Sequence, residues 1–346
     1  MNVESLLGSE LPIIQAPMAG AQDSALAIAA SKAGALGFLP CAMLNADAIR
    51  AEVTAIRAAT DRPFGLAFFS HTPPTPSQER EAAWREALAP YYREYAIDPS
   101  TIPTVPGRLP FSSETCAVVE AFRPAVVSFH FGLPSDELLD RVRRTGARIL
   151  SSATTVEEAR FLESRGVDAI IAQGAEAGGH RGVFLTDDLS TQLSTMALVP
   201  QIVNAAKVPV IAAGGIADAA GVAAARALGA SAVQVGTAFL LCHEAKTSPV
   251  HRAALKSDAA ARTALTNLFT GRPARGIVNR IMREIGPMGP APAFPLAVSG
   301  IAPLRARAEA AGRGDFSPLW CGQNASGCRE APAAQIVREL AKGLSS

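Results

Sequence analysis

The stretch that decides the fold is "VPVIAAGGIADAAGVAAARALGASAVQVGTAF", residues 208–239. It reads as an apolar strand ending in two glycines, an Ala-rich helix closed by a glycine, and a second apolar strand. The first strand is a continuous apolar run, which is typical of parallel strands buried on both faces. The stretch is therefore predicted to be a strand–helix–strand unit with a right-handed crossover.

The same unit recurs along the chain. Eight apolar runs are predicted to be strands: residues 12–18, 34–40, 64–69, 125–132, 147–153, 167–174, 208–215 and 230–239. Helical patterns such as residues 155–166 and 218–229 lie between them. Eight such units in 346 residues predict an α/β fold of the (β/α)8 TIM-barrel type, with an open doubly wound sheet as the alternative.

Two long segments do not fit the repeat. Residues 72–122 lie between the third and fourth strands, and residues 242–320 follow the eighth. Insertions of this size are rarely structureless in compact domains, so they predict an added helical layer over the active-site end of the barrel. We expect a barrel of residues 1–241 and 321–346 that carries the insertion 72–122, and a helical lid of residues 242–320 over the substrate.

The composition argues against several classes of protein. Lys and Arg number 32 against 31 Asp and Glu, and this near-neutral charge argues against nucleic-acid or anionic-membrane partners. The N-terminus lacks the pattern of a signal peptide, and no uninterrupted apolar run approaches the ~18 residues of a membrane span. The five cysteines lack metal-ligand spacing, so we expect no metal site, reduced thiols and a cytoplasmic protein. A disulfide between Cys321 and Cys328 is the less favoured alternative.

The ends of the last two strands predict a phosphate site. Gly214 and Gly215 follow the seventh strand, and Gly236 and Thr237 follow the eighth. Glycines let backbone N–H groups approach an anion, and a threonine hydroxyl can donate a hydrogen bond to it. Either motif alone could be an ordinary loop, but the pair on adjacent strands favours a phosphate.

One histidine stands out at the same end of the predicted barrel. His180 lies in "AEAGGHRG", residues 175–182, directly after the sixth strand. An unperturbed imidazole, with a pKa of about 6.5, suits proton abstraction at neutral pH, so His180 is predicted to be a general base. Glu176 could orient this imidazole or cap the loop, and both readings stay open. His71 and His130 are interpreted as structural.

Several motifs together carry a family resemblance. "PIIQAPM" (12–18), "VDAIIAQGAEAGGHRGVF" (167–184) and "GASAVQVGTAFLLCHEA" (229–245) resemble the nitronate monooxygenases. The resemblance implies a TIM barrel with non-covalent FMN that oxidises alkyl nitronates or nitroalkanes with O₂ to a carbonyl compound and nitrite. It implies that His180 deprotonates neutral nitroalkanes, and it leaves a homodimer open.

The resemblance also implies a set of FMN-binding residues. The phosphate would be bound by Gly214, Gly215, Gly236 and Thr237. The ring and the ribityl chain would be lined by Ala16, Pro17, Met18, Gln173 and Gly179. Further cofactor contacts are expected from Ala67, Ser128, Gly178, Ala213 and Gln234.

The sequence departs from the family pattern at two places. The third strand has Gly65 and Ala67 where the family often has an asparagine that contacts the flavin. Phe294, Val298 and Ala302 stand where well-known members have two tyrosines and a lysine. These exchanges predict a more apolar pocket that has lost a cation favourable to an anionic substrate. Flavin binding should be little affected, and the natural substrate stays open.

Other functions fit parts of the pattern. An FMN-dependent NAD(P)H:quinone or enoyl-thioester reductase on the same scaffold is the main alternative. A barrel that binds FMN or phosphate without turnover is another. An inosinate-dehydrogenase-like enzyme needs a cysteine in the loop after the sixth strand, where this chain has His180 and no cysteine.

Overall fold

The computed structural model describes residues 6–102 and 108–345. Its strands are β1 Ile13–Gln15, β2 Leu36–Pro40, β3 Phe64–Phe69, β4 Val126–His130, β5 Arg148–Ala153, β6 Ala169–Gln173, β7 Gly179–His180, β8 Val210–Ala213, β9 Ala232–Val235, β10 Thr263–Thr266 and β11 Ala274–Ile277. Eight of them close a parallel barrel in the order β1-β2-β3-β4-β5-β6-β8-β9, and β9 pairs back to β1. Each predicted apolar run contains one of these strands, so the TIM barrel is confirmed and the open sheet was wrong.

The helices are α1 Ser24–Lys32, α2 Ala46–Ala59, α3 Gln78–Glu94, α4 Ser113–Phe122, α5 Asp136–Arg144, α6 Val156–Ser164, α7 Thr195–Ala205, α8 Ala219–Ala227, α9 Pro249–Leu255, α10 Arg280–Glu284, α11 Val298–Ala310 and α12 Ala333–Ala341. Most begin at a residue whose side chain accepts a first-turn N–H, such as Asn45 for α2 and Thr155 for α6. The prediction that glycines end α6 and α8 is also confirmed. Gly166 after α6 and Gly229 after α8 have φ of +71° and +95°.

The packing of the barrel interior explains why β3 has Gly65 at a position where the sequence departs from the family pattern. Apolar side chains such as Ile14, Phe38 and Ile171 fill the interior and are buried. A Cβ on Gly65 would lie 2.4 Å from Cε1 of Phe38. Gly65 therefore stands in β3 because the Phe38 ring occupies the space beside it.

The two inserted segments form one layer over the barrel. Trp84 Nε1 of α3 donates to the Ala297 carbonyl at 3.2 Å, and Tyr92 Oη donates to the Gly300 carbonyl at 2.6 Å. These side chains share a buried apolar cluster with residues of α10 and α11. The rest of the first insertion includes α4, which belongs to the ring of helices around the barrel.

The second inserted segment is not wholly helical. Its strands β10 and β11 form an antiparallel hairpin, and β11 pairs with β7, which carries His180. This small sheet ties the layer directly to the loop after β6. All five cysteines are free thiols, and none of the helices described has the length and apolar character needed to cross a membrane.

Candidate active site

A cavity of about 260 Å³ lies between the C-terminal ends of the barrel strands and the inserted layer. Its lining includes every residue predicted for the site: Ala16, Pro17, Met18, Ala67, Ser128, Gln173, Gly178, Gly179, His180, Ala213, Gly214, Gly215, Gln234, Gly236 and Thr237. Residues from the ends of strands far apart in sequence thus meet around one space. This is the end of a TIM barrel at which active sites form.

The predicted phosphate loops have the backbone shape that an anion cradle needs. Gly214 and Gly215 have φ of +117° and +72°, values that favour glycine. A Cβ on Gly214 would lie 2.8 Å from Thr195 Oγ1, so the loop leaves no room for a side chain there. Successive residues in such a conformation can aim their N–H groups at an anion.

The chain segment after Trp320 completes this cradle, and sequence reasoning missed its residues. The N–H of Gly322 donates to Thr237 Oγ1 at 2.9 Å, which leaves the threonine hydroxyl proton available for an anion. Asn324 Nδ2 donates to the Gly215 carbonyl at 3.0 Å. Nothing in the stretch "FSPLWCGQ", 316–323, predicts contact with the loop after β9.

The remainder of the cavity fits the ring of FMN. A Cβ on Gly236 would lie 3.5 Å from the Ala16 Cβ and 3.7 Å from Met18 Sδ, so these residues form a narrow apolar slot. Gln234 Oε1 is buried and has no hydrogen-bond partner among the described residues. A buried acceptor of this kind calls for a ligand N–H, which a flavin ring offers. The residues present therefore fit the cofactor.

His180 is enclosed by aromatic side chains. Its ring centroid lies 5.3–5.9 Å from four others, those of Phe69, Phe131, Phe294 and Trp320. Its Nε2 lies 2.9 Å from Thr270 Oγ1, in the segment that leads into β11. Burial lowers the pKa of His180 well below its usual value, and the nearby Arg108 guanidinium lowers it further. The imidazole is therefore neutral at neutral pH, which is the form that can accept a proton.

The backbone of His180 is fixed from the barrel side. Gln173 Nε2 donates to the His180 carbonyl at 2.9 Å, and Gln173 Oε1 accepts the Gly182 N–H at 2.7 Å. His130 Nε2 lies 3.2 Å from the same carbonyl, and its Nδ1 lies 3.0 Å from Ser152 Oγ. Burial lowers the pKa of His130 to about 3. These contacts support the interpretation of His130 as a structural residue.

The structure also answers the question left open for Glu176. Its carboxylate accepts the Thr195 N–H at 2.8 and 3.0 Å, and Thr195 Oγ1 lies 2.8 Å from Oε2. Thr195 begins α7, and its hydroxyl also lies 3.0 Å from the Gly214 carbonyl. Glu176 therefore caps a helix and joins the loop after β6 to the phosphate loop after β8.

Arg181 fixes the backbone at the start of the loop after β6, a role that the sequence analysis missed. The side chain is fully buried. It donates to the carbonyls of Gln173 and Gly174 at 2.7 and 2.6 Å and to Gln192 Oε1 at 2.9 Å. Burial lowers its pKa to about 10, so the guanidinium stays charged at neutral pH.

The pocket lacks the lysine of well-known family members, but arginines at other positions line it. Phe294 packs against His180, but neither it nor Val298 or Ala302 is part of the cavity lining. Arg305, one helical turn after Ala302, lines the cavity, and so does Arg108. The cavity therefore keeps positive charge although the expected lysine is absent.

The closed barrel, the glycine cradle and the slot for a flat ring beside a neutral imidazole define an FMN-dependent barrel oxidoreductase. The sequence model of the nitronate monooxygenase family matches residues 2–343. The chain belongs to that family, which confirms the recognised resemblance, the enzyme class and FMN as cofactor.

Individual proteins agree with this assignment. The nitronate monooxygenase of Paraburkholderia phytofirmans is 43% identical over 342 residues, which cover 98% of this chain and 93% of the relative. The solved nitroalkane oxidase of Streptomyces ansochromogenes superposes with a TM-score of 0.91 at 40% identity and covers 100% of this chain and 98% of its own. FabK of Thermotoga maritima is more distant, with a TM-score of 0.72 at 27% identity over 99% of this chain and 95% of its own.

Proposed function

We propose that this protein oxidises alkyl nitronates with O₂, using FMN in the cavity described above, to give a carbonyl compound and nitrite. The family match along the chain supports the reaction. The observation that carries the assignment to this cavity is the neutral, aromatic-enclosed His180 beside the glycine cradle. The bound flavin would supply the electron-accepting chemistry, and the protein would supply binding, orientation and a proton acceptor.

The glycine loops and the apolar slot would hold the cofactor. The N–H groups of Gly214 and Gly215 and the hydroxyl of Thr237 would bind its phosphate. Ala16 and Met18 would lie against the ring, and Gln234 Oε1 would accept a hydrogen bond from it.

His180 would act on neutral nitroalkanes. The Thr270 hydroxyl lies 3.4 Å from the Arg272 carbonyl to which it can donate, so its oxygen is available to accept the Nε2–H of His180. In that tautomer Nδ1 carries the free lone pair, and it would take the proton from the carbon next to the nitro group. A nitronate arrives already deprotonated and needs no base.

The aromatic side chains around His180 would keep water away from the reacting carbon. Phe131 follows β4 of the barrel and Phe294 belongs to the inserted layer, and their ring centroids are 5.4 Å apart. Exclusion of water strengthens the electrostatic interactions inside the site.

The first experiment is an absorption spectrum of the purified protein followed by oxygen uptake with propionate 3-nitronate, with and without NADH. We expect a flavin spectrum and oxygen uptake that needs the nitronate and no NADH. Rapid anaerobic bleaching of the flavin by NADH or NADPH, without nitronate-dependent uptake, would instead establish the alternative reductase. A yellow protein with neither response would indicate a barrel that binds FMN without turnover.

We further propose that the protein works in the cytoplasm and forms a homodimer. The five free thiols support a reducing compartment. Light scattering of the holoenzyme would test the dimer directly.

A further inference from the structure

A partly buried arginine whose Nε is buried lies in the cavity wall, without an anionic partner among the described residues. Arg108 lines the cavity, and its Nε is buried without a hydrogen-bond partner in the part of the chain that the structure describes. Its Nη2 lies 3.9 Å from Met43 Sδ, a weak acceptor. No ion pair among residues 6–102 and 108–345 includes it. A charge taken out of water without a partner is costly, so this group calls for an anion.

The neighbouring groups do not supply that anion. The described lining of the cavity contains no Asp or Glu. Arg305 shares the lining, but its Nε donates to Glu309 at 2.8 Å. Arg272 lies 4.0 Å above the Phe131 ring and donates to the Val183 carbonyl.

The nearby histidines add no positive charge at neutral pH. Burial lowers the pKa of His71 to about 4, that of His130 to about 3 and that of His251 to about 4. Arg108 is therefore a partly buried cation, with a buried and unpartnered Nε, in a cavity whose histidines are neutral and whose second guanidinium is already paired.

The position of Arg108 relative to His180 indicates where the anion would bind. Arg108 and His180 line the same cavity, and after burial the charge on Arg108 is the largest influence that lowers the pKa of His180. A cation beside a general base opposes protonation of that base. An anion bound between the two groups would remove this conflict.

We propose that Arg108 binds the nitro oxygens of the substrate and stabilises the negative charge that they carry in the nitronate. This inference rests on the proposed nitronate chemistry. When the C–H bond of a neutral nitroalkane breaks, the proton goes to His180 and the electron pair is delocalised onto the two nitro oxygens. A planar guanidinium presents paired N–H groups that match two oxygens on one atom.

The test uses nitrate, a planar oxyanion that resembles the nitronate head group, as the probe of the FMN-loaded enzyme. Nitrate binding is followed by the change in the flavin absorption spectrum and by inhibition of nitronate oxidation. We expect Arg108→Gln to raise both the nitrate dissociation constant and the nitronate KM about tenfold or more. Arg108→Lys should lose less because it keeps the charge. FMN content should be unchanged in both variants.

Arg307→Gln is the matched control, because Arg307 is exposed on α11 and its replacement changes net charge equally. If Arg108→Gln fails to fold, Arg108→Met replaces it, since an unbranched apolar side chain suits the neighbourhood of Met43. Unchanged nitrate affinity and KM in the Arg108 variants would overturn the inference while the proposed function stands. A wild-type spectrum that nitrate does not alter would overturn it without any variant. Arg108-dependent nitrate binding without nitronate turnover would keep the anion site and reject the proposed function.

Discussion

His180, the proposed base, lies in surroundings that disfavour its protonated form. The ring lies among aromatic side chains, and burial lowers its pKa. The positive charge of Arg108 lowers it further. The place of His180 after a barrel strand predicts that it is a base, and this role stays a prediction. The sequence could not predict the roles of Arg108 and Arg181, because burial and the lack of an anionic partner become visible only when distant segments are packed together.

This environment has a consequence for the pH dependence of neutral nitroalkane oxidation. Because burial holds the pKa of His180 below the usual 6.5, the imidazole stays neutral as the pH falls through that value. Activity is lost only when the pH reaches the lowered pKa and the base becomes protonated. We expect kcat/KM to stay level as the pH falls from neutrality through the usual histidine pKa, and to fall only at more acidic pH. An acidic limb at or above the usual histidine pKa would contradict this expectation.

At the scale of elements, the apolar runs predicted the eight barrel strands. Nothing in the sequence predicted the hairpin of β10 and β11. Its strands "TALT" and "ARGI" are short, and the partner strand β7 has two residues, Gly179 and His180. No local pattern predicts pairing between segments so far apart in the chain. This hairpin nevertheless places Thr270 against His180.

Two adjacent glycines in the loop after β6 allow a matched test of where the flavin lies. A Cβ on Gly178 would lie 2.6 Å from the Gly322 backbone N, whereas a Cβ on Gly179 would meet nothing within 4 Å. We expect Gly178→Ala to lower the free energy of unfolding markedly. Gly179→Ala should cost about 1–2 kcal/mol through its φ of +73°, and its new methyl group should weaken FMN binding.

Urea unfolding of both variants and fluorescence titration with FMN would measure these effects. Unchanged FMN affinity in Gly179→Ala would show that the flavin does not lie against this glycine.

At the scale of the whole molecule, the repeated strand–helix pattern predicted the barrel. It did not predict that the two insertions pack against each other. Tyr92 and Gly300, which are hydrogen-bonded across the inserted layer, are 208 positions apart. No local pattern in either segment predicts that contact. The domain boundaries proposed from the sequence separate α3 from α11, although the two helices share one apolar cluster.

The hydrogen bond between Tyr92 and Gly300 predicts how the layer is held. Tyr92→Phe would remove a buried hydrogen bond between α3 and α11, so the free energy of unfolding should fall by about 0.5–1.5 kcal/mol. Tyr95→Phe is the control, because the Tyr95 hydroxyl is buried without a partner among the described residues and its removal should cost little. Urea unfolding and hydrogen exchange of α11 would compare the two. Equal destabilisation by both changes would argue against this anchor.

The most direct test of the central claim compares His180→Ala with the wild-type holoenzyme on two substrates, 1-nitropropane and its preformed nitronate. Oxygen uptake with the nitronate should be largely retained, because that substrate needs no base. Oxygen uptake with neutral 1-nitropropane should fall about 10²-fold or more, the usual contribution of a general base. FMN content should match that of the wild type. An equal loss on both substrates, or full activity on the neutral one, would contradict the assignment of His180 as the base.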